Sequence, residues 1–271
     1  MEIDRKLIQN NTLDVCSDSS FICFDWNSDH KEFTRILEDV LNSHGEIWIE
    51  GKLDSNRSNR IIAKINMLEI ESALILEWNE NKENAMQLIA AFSALMSSYD
   101  FEIANKISQC WVGLFQENND IDGNVNFISS KSISGESKAD FEFEKFAILL
   151  GLAWGVASRL VLEAFKWSRI RTSFGKIIAN HQAVAIRLAE LSLNISTLKC
   201  LILDSLLKYS VLSIENFGNL ALLSAELLLS IARDAMQVAG GHGFVDGLPF
   251  KRLYEQSAVI AVNLQAFEAS R

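Results

Sequence analysis

This 271-residue sequence predicts a mainly α-helical fold: an antiparallel four-helix bundle in the second half, preceded by a reduced α/β region. Two observations carry that expectation. Breakers are scarce, with 13 glycines and a single proline, Pro249, so long uninterrupted helices are favoured over a turn-rich sheet fold. From Phe141 onward, apolar residues recur at helical spacing in four long stretches joined by short connections, and such helices pack antiparallel with their neighbours.

The first stretch, Phe141–Ile170, is apolar nearly all round, with Phe146, Leu149, Leu150, Trp154, Val156, Leu160, Val161, Phe165 and Trp167. A helix of that kind lies inside a bundle or between subunits. Its charge-free core, Phe146 to Ser158, has 13 residues. A membrane span needs about 18 or more, so a buried helix is expected. Asn180–Ser210 and Ile214–Val238 follow, and Gly240–Gly241 stops the latter, since glycine takes the left-handed C-terminal conformation without a Cβ clash. Pro249–Phe267 forms the fourth, with Pro249 near a first turn that does not need its N–H.

Residues 1–137 read as weaker in pattern and 138–271 as the bundle, with Gly135–Lys138 as the linker. Lys31–Asn42 and Asn81–Ser97 are expected to be helices, the latter on Met86, Ile89, Ala90 and Leu95. Phe21–Phe24, Glu46–Glu50 and Ala73–Trp78 read as strands. Ile107–Gln116 and Asn124–Ser129 read as a hairpin turning at Asp122-Gly123.

Charge divides along the same line. Residues 1–144 hold 26 acidic and 12 basic side chains, and residues 145–271 hold 9 and 13. An acidic chain is a poor nucleic-acid partner, because that affinity rests on phosphate neutralisation, whereas the basic half suits a small anionic ligand. The cysteines (Cys16, Cys23, Cys110 and Cys200) show neither metal spacing nor a disulfide ladder, and Met-Glu-Ile-Asp is not a signal segment. A cytoplasmic setting is expected, with no membrane partner and no metal.

Two connections between the long helices stand out. One is Arg171-Thr-Ser-Phe174-Gly175-Lys176, followed by Gln182. The other is Gln237-Val-Ala-Gly240-Gly241-His242-Gly243-Phe244, running through Pro249 to Arg252 and Tyr254. In order and spacing they resemble the C-terminal bundle of the acyl-CoA dehydrogenase family, with its Arg-x-x-Phe-Gly turn, a following Gln and a later Gln-x-x-Gly-Gly-x-Gly-Phe/Tyr. Gly151 to Ala157 is similar to that family's Gly/Ala-rich stretch. The likeness spans Phe141 to Arg271.

The resemblance implies that this surface holds the adenine and pyrophosphate end of an FAD whose flavin ring sits in a neighbouring subunit. Arg171 would clamp the pyrophosphate bidentately. Phe174 would pack on adenine, and Gln182 and Gln237 would supply amide hydrogen bonds. Gly240 and Gly241 would let backbone N–H groups approach the phosphates.

The sequence also departs from the family. Tyr254 is followed by Glu255 and Gln256 where Arg-Asp is usual. The position of the usual catalytic glutamate, ten residues beyond that aromatic, falls on Leu264, which cannot abstract a proton; Glu268 lies one turn further on. Some members place their base 26 residues before the Arg of the first turn. That count reaches Lys145, with Glu144 adjacent and Glu142 nearby, on what reads as a solvated acidic helix start. The first half lacks the family's Thr-Glu-x-x-x-Gly-Ser-Asp and Trp-Ile-Ser/Thr stretches.

The expected role is therefore an accessory subunit. It would complete the FAD site of a full-length, catalytically intact partner that dehydrogenates an acyl thioester, or self-associate through the bundle. Two alternatives remain: a structural or regulatory bundle without flavin, and a self-sufficient enzyme using Glu144.

Overall fold

The computed structural model describes residues 35–37, 39–41, 43, 48–49, 52–111, 136–208, 214–245 and 247–269. Residues 35–37 and 39–41 are helical, within the expected Lys31–Asn42. A two-residue ladder pairs β1 (Trp48–Ile49) with β2 (Lys52–Leu53). Then come α1 (Ser55–Asn66), α2 (Ile70–Glu80), α3 (Lys82–Tyr99) and α4 (Phe101–Trp111). The second half holds α5 (Glu136–Ile170), the hairpin β3 (Thr172–Ser173) and β4 (Lys176–Ile177), α6 (Gln182–Leu207), α7 (Ile214–Ala239) and α8 (Phe250–Ala269). The predicted mainly helical fold is the observed one.

Each boundary in the first half has a local cause. Asp54 caps α1 by accepting the Arg57 N–H at 3.1 Å, and Ser58, Ile61 and Ile65 turn inward at helical spacing. Asn81 ends α2 and caps α3, accepting from the N–H groups of Glu83 (3.0 Å) and Asn84 (3.2 Å). Asp100 does the same for α4, accepting from Glu102 (2.8 Å) and Ile103 (3.2 Å).

Two expectations are corrected here. Ala73–Trp78 is not a strand but the middle of α2. Its short apolar run suits either state by composition. Ile70, Leu74 and Glu77 are buried at helical spacing while Leu76 is exposed, so the burial has the helix period. Ile107–Trp111 is likewise the end of α4 rather than a hairpin strand, with Phe101, Ala104, Ile107 and Trp111 facing one core. Phe21–Phe24, 112–116 and 124–129 lie outside the described residues.

α5 is the axis of the molecule. It packs against α3 and α4 on one side and against α6, α7 and α8 on the others. This is why it is apolar all round: its most hydrophobic window is 83% buried within the chain itself. The approach of α3 is very close. A Cβ on Gly151 or Gly155 would collide with α3, at the Ala90 and Ala94 carbonyls and the Ser93 and Ser97 side chains. The Ser97 hydroxyl donates across the crossing to the Leu152 carbonyl at 3.3 Å. One continuous apolar core runs from Leu37 to Leu264.

Candidate functional site

Both sequence motifs come to the same end of the bundle. The alternating helix directions place the C-termini of α5 and α7 and the N-termini of α6 and α8 there. Arg171 follows the last turn of α5, its N–H still donating to the Trp167 carbonyl at 3.0 Å, and its own carbonyl accepts from Ile178 N–H at 2.8 Å. Between them the hairpin turns on Phe174 and Gly175, with φ of 49° and 71°. Two left-handed residues form the tight turn whose twist matches the flanking strands. Gly175 adopts this freely; for Phe174 it costs about 1 kcal/mol. Phe174 stands 94% exposed, so it belongs to no core. Its ring lies edge-on to His181, with centroids 6.4 Å apart, and His181 Nε2 is 3.1 Å from the Ser173 carbonyl oxygen.

α7 arrives beside this hairpin. Gly240, at φ 61°, ends it as expected, and a 3₁₀ turn covers Gly240–Phe244. The His242 ring packs 5.2 Å from Trp167. Trp167 precedes Arg171 by one helical turn, so the glycine turn rests on the part of α5 that carries Arg171. An ion pair from Arg187 on α6 to Asp234 on α7 sets the two helices level. Gln182 and Gln237 therefore reach the same end. Arg171, Phe174, Gln182, Gln237, Gly240 and Gly241 are all exposed.

Three features of this end fit an incoming anionic nucleotide. Arg171 forms no ion pair with any described residue, so its guanidinium is available. Arg169, Lys176, His242 and Lys251 are also exposed on the helix ends and connections that carry the two motifs, and Glu255 on α8 is an exposed carboxylate. Gly241 has no left-handed φ, and a Cβ there would meet no atom within 4 Å. Nothing among the described residues requires glycine at 241, whereas a phosphate seated on its N–H would. Gly240→Ala is expected to lower stability by about 1 kcal/mol because of its φ, and Gly241→Ala to leave it unchanged. Thermal unfolding of the two variants checks the contrast.

The two candidate positions for a catalytic base lie elsewhere. Leu264 is fully buried (0% exposed) in the core face of α8. Glu144 corrects an expectation: it is not at a solvated helix start but 1% exposed. α5 begins eight residues earlier, at Glu136, so the helix continues through this site. Its sequence neighbours Phe143 and Phe146 pack on Phe217, at 4.6 and 5.5 Å. Along α5, Glu144 lies about 40 Å from Arg171, far from the motif end.

One structural pair escaped the sequence. Arg252, in the first turn of α8, donates to the Asp100 carboxylate at 2.8 Å, joining that end of the bundle to the α3–α4 corner. Burial pushes the Asp100 carboxyl above its ordinary range, against the opposing pull of Arg252 and of the Ile103 and Glu102 N–H groups. Glu102 is raised too, by burial and then by Asp100. Arg252 was in the second motif, but its partner is 152 positions upstream, where no local pattern marks it.

Comparison with known proteins agrees with these motifs. Residues 137–262 match the family described as acyl-CoA dehydrogenase, C-terminal domain. The chain is 30% identical over 112 residues to a 3-(aryl)acrylate reductase of Clostridium sporogenes, covering 41% of this chain and 30% of that one. It is 27% identical over 110 residues to the caffeyl-CoA reductase-Etf complex subunit CarC of Acetobacterium woodii, covering 40% and 29%. The matches span about three-tenths of these relatives' lengths. An acyl-CoA dehydrogenase structure from Geobacillus kaustophilus aligns at TM-score 0.43 and 21% identity, over 49% of this chain and 37% of that one.

Proposed function

Residues 137–262 belong to the acyl-CoA dehydrogenase C-terminal domain family, and from that premise we propose that this chain is an accessory subunit completing the FAD site of a full-length dehydrogenase-type partner. The single observation behind this reading is an open end of the bundle. The six positions assigned to the nucleotide, Arg171, Phe174, Gln182, Gln237, Gly240 and Gly241, are all exposed there, while Leu264 and Glu144 are shut in the core. The residues assigned to a neighbour's cofactor are outward, and the two positions considered for a base are not among them.

In this role Arg171 pairs with the pyrophosphate, and the Gly240–Gly241 backbone supplies N–H donors. Phe174, already projecting, covers a face of the adenine. Gln182 and Gln237 orient the nucleotide through their amides. The bound flavin supplies hydride chemistry at the β-carbon of an acyl thioester, and the partner supplies the base for the α-proton. The two relatives are named as reductases, which supports a partner reaction running in either direction across the α,β bond. One of them is named as a subunit of an Etf complex, which favours a multi-subunit assembly.

Copurification with a full-length dehydrogenase tests this. A yellow complex absorbing near 450 nm is expected, with colourless protein when the chain is alone. Arg171→Gln and Gly241→Ala should each lower flavin content by about tenfold or more while thermal unfolding stays unchanged. Colourless protein in both preparations would leave the structural bundle as the reading. Flavin in the lone chain, with turnover lost on Glu144→Gln, would restore the self-sufficient enzyme.

A further inference from the structure

Tyr254 ends the second sequence motif but is not one of the six residues assigned to the nucleotide. It stands 37% exposed on α8, and with the outer face of α7 it walls a hollow of about 580 Å³. That volume is typical of small-molecule sites, which are mostly apolar with a few fixed polar groups. Leu223, Leu227 and the Tyr254 side chain supply apolar walls. Leu223 is 44% exposed, so it serves no core. Two charged side chains line the hollow as well, Arg233 and Glu226. They are seven positions apart on α7, which separates them by about 10 Å along the helix axis.

Arg233 is held in place but not neutralised. Its Nε donates to the Leu229 carbonyl at 3.2 Å, one turn back on the same helix. That bond uses one of the five guanidinium N–H donors and leaves both terminal nitrogens. The adjacent carboxylate, Asp234, is taken by Arg187, and Arg233 makes no ion pair with any described residue. A guanidinium oriented by its own helix, next to apolar walls, suits a carboxylate, which it meets bidentately. We propose that this hollow binds an amphipathic monocarboxylate, with the carboxylate on Arg233 and the apolar body along Leu223, Leu227 and Tyr254. Glu226 limits the ligand to one negative charge, because a body ending in a second carboxylate would bring it against a like charge. The hollow adjoins the nucleotide end, since Gln237 lies one turn beyond Arg233, yet it shares none of the six residues assigned there. This inference does not rest on the flavin reading.

Titration calorimetry of the full chain with octanoate tests it. A dissociation constant on the order of 1 mM or tighter is expected. Octanol lacks the charge and should bind about tenfold more weakly; suberate, the dicarboxylate of the same length, should lose a similar factor. Arg233→Gln should weaken octanoate about tenfold and remove its advantage over octanol, and Arg233→Lys should recover part of it. Glu226→Gln should raise the affinity for suberate towards that for octanoate. Both side chains are exposed, so thermal unfolding should not change in these variants. Phenylbutyrate, bound in the same Arg233-dependent way, would show that the walls take a ring as well as a chain. Absence of octanoate and phenylbutyrate binding, octanoate binding indifferent to Arg233→Gln, or tighter binding of octylamine than of octanoate overturns the proposal. Suberate bound by the parent chain as tightly as octanoate overturns the limit to a single charge.

Discussion

Replacing Arg252 with leucine should destabilise the fold by about 3 kcal/mol at neutral pH, and the loss should shrink as the solution is acidified. The Asp100 side chain is 1% exposed and Arg252 24%, so removing the guanidinium takes the paired cation from a buried carboxylate that keeps its Glu102 and Ile103 N–H donors. The lower end of the usual range applies because Arg252 retains some solvent contact. The sign follows from the direction of the Asp100 shift. A carboxyl raised in the folded state adds stability below its unfolded value, 3.8, and that contribution is lost as pH rises through the folded value. Glu102 is displaced in the same direction and adds to the slope. Without Arg252 the Asp100 carboxyl rises further, so the variant should approach the parent on acidification as the carboxyl takes up a proton. Urea midpoints at about pH 5 and about pH 7 measure this. A deficit that stays constant between the two would mean that Arg252 acts through packing rather than through Asp100.

Gly155→Ala should cost about 3 kcal/mol, and this single added methyl is the most stringent probe of the α3–α5 contact. By helix propensity alone the change should stabilise α5 by about 1 kcal/mol, so propensity and packing predict opposite signs. The new Cβ would fall well inside van der Waals contact with the Ala94 carbonyl oxygen and Ser97 Oγ, and 2.8 Å from the Ser98 backbone nitrogen. Two of these three atoms are backbone, so no rotamer change relieves the overlap. Gly151→Ala meets the Ser93 Cβ at 2.7 Å and the Ala90 Cα at 2.9 Å, and should behave alike. Stabilisation in either variant, by chemical unfolding, would show that the two helices are not this close.

The long helices of the second half were legible because their evidence is local. Apolar spacing, Pro249 and Gly240 act within a turn or two, and Gly240 adopts the φ of 61° that its position at a helix end required. The two motifs were legible for the same reason: each is a short run at a helix junction. Ala73–Trp78 misled because a brief apolar run fits strand or helix equally, and only the neighbours of Leu74 and Glu77 chose between them. Glu144 misled in a related way. Its residue type suggests water, yet α5 begins at Glu136 and buries it beside the phenylalanines that meet Phe217.

From its own residues the chain specified helix positions, their stops and the two motifs gathered at one set of loops, since these follow from spacing, caps and backbone freedom along a few neighbouring positions. Tertiary structure alone decided that α3 presses into the glycines of α5, that Asp100 meets Arg252 across 152 positions, and that Glu144 is buried. Those outcomes depend on which distant surfaces compete for the same contact, and that competition is settled only when the whole core closes.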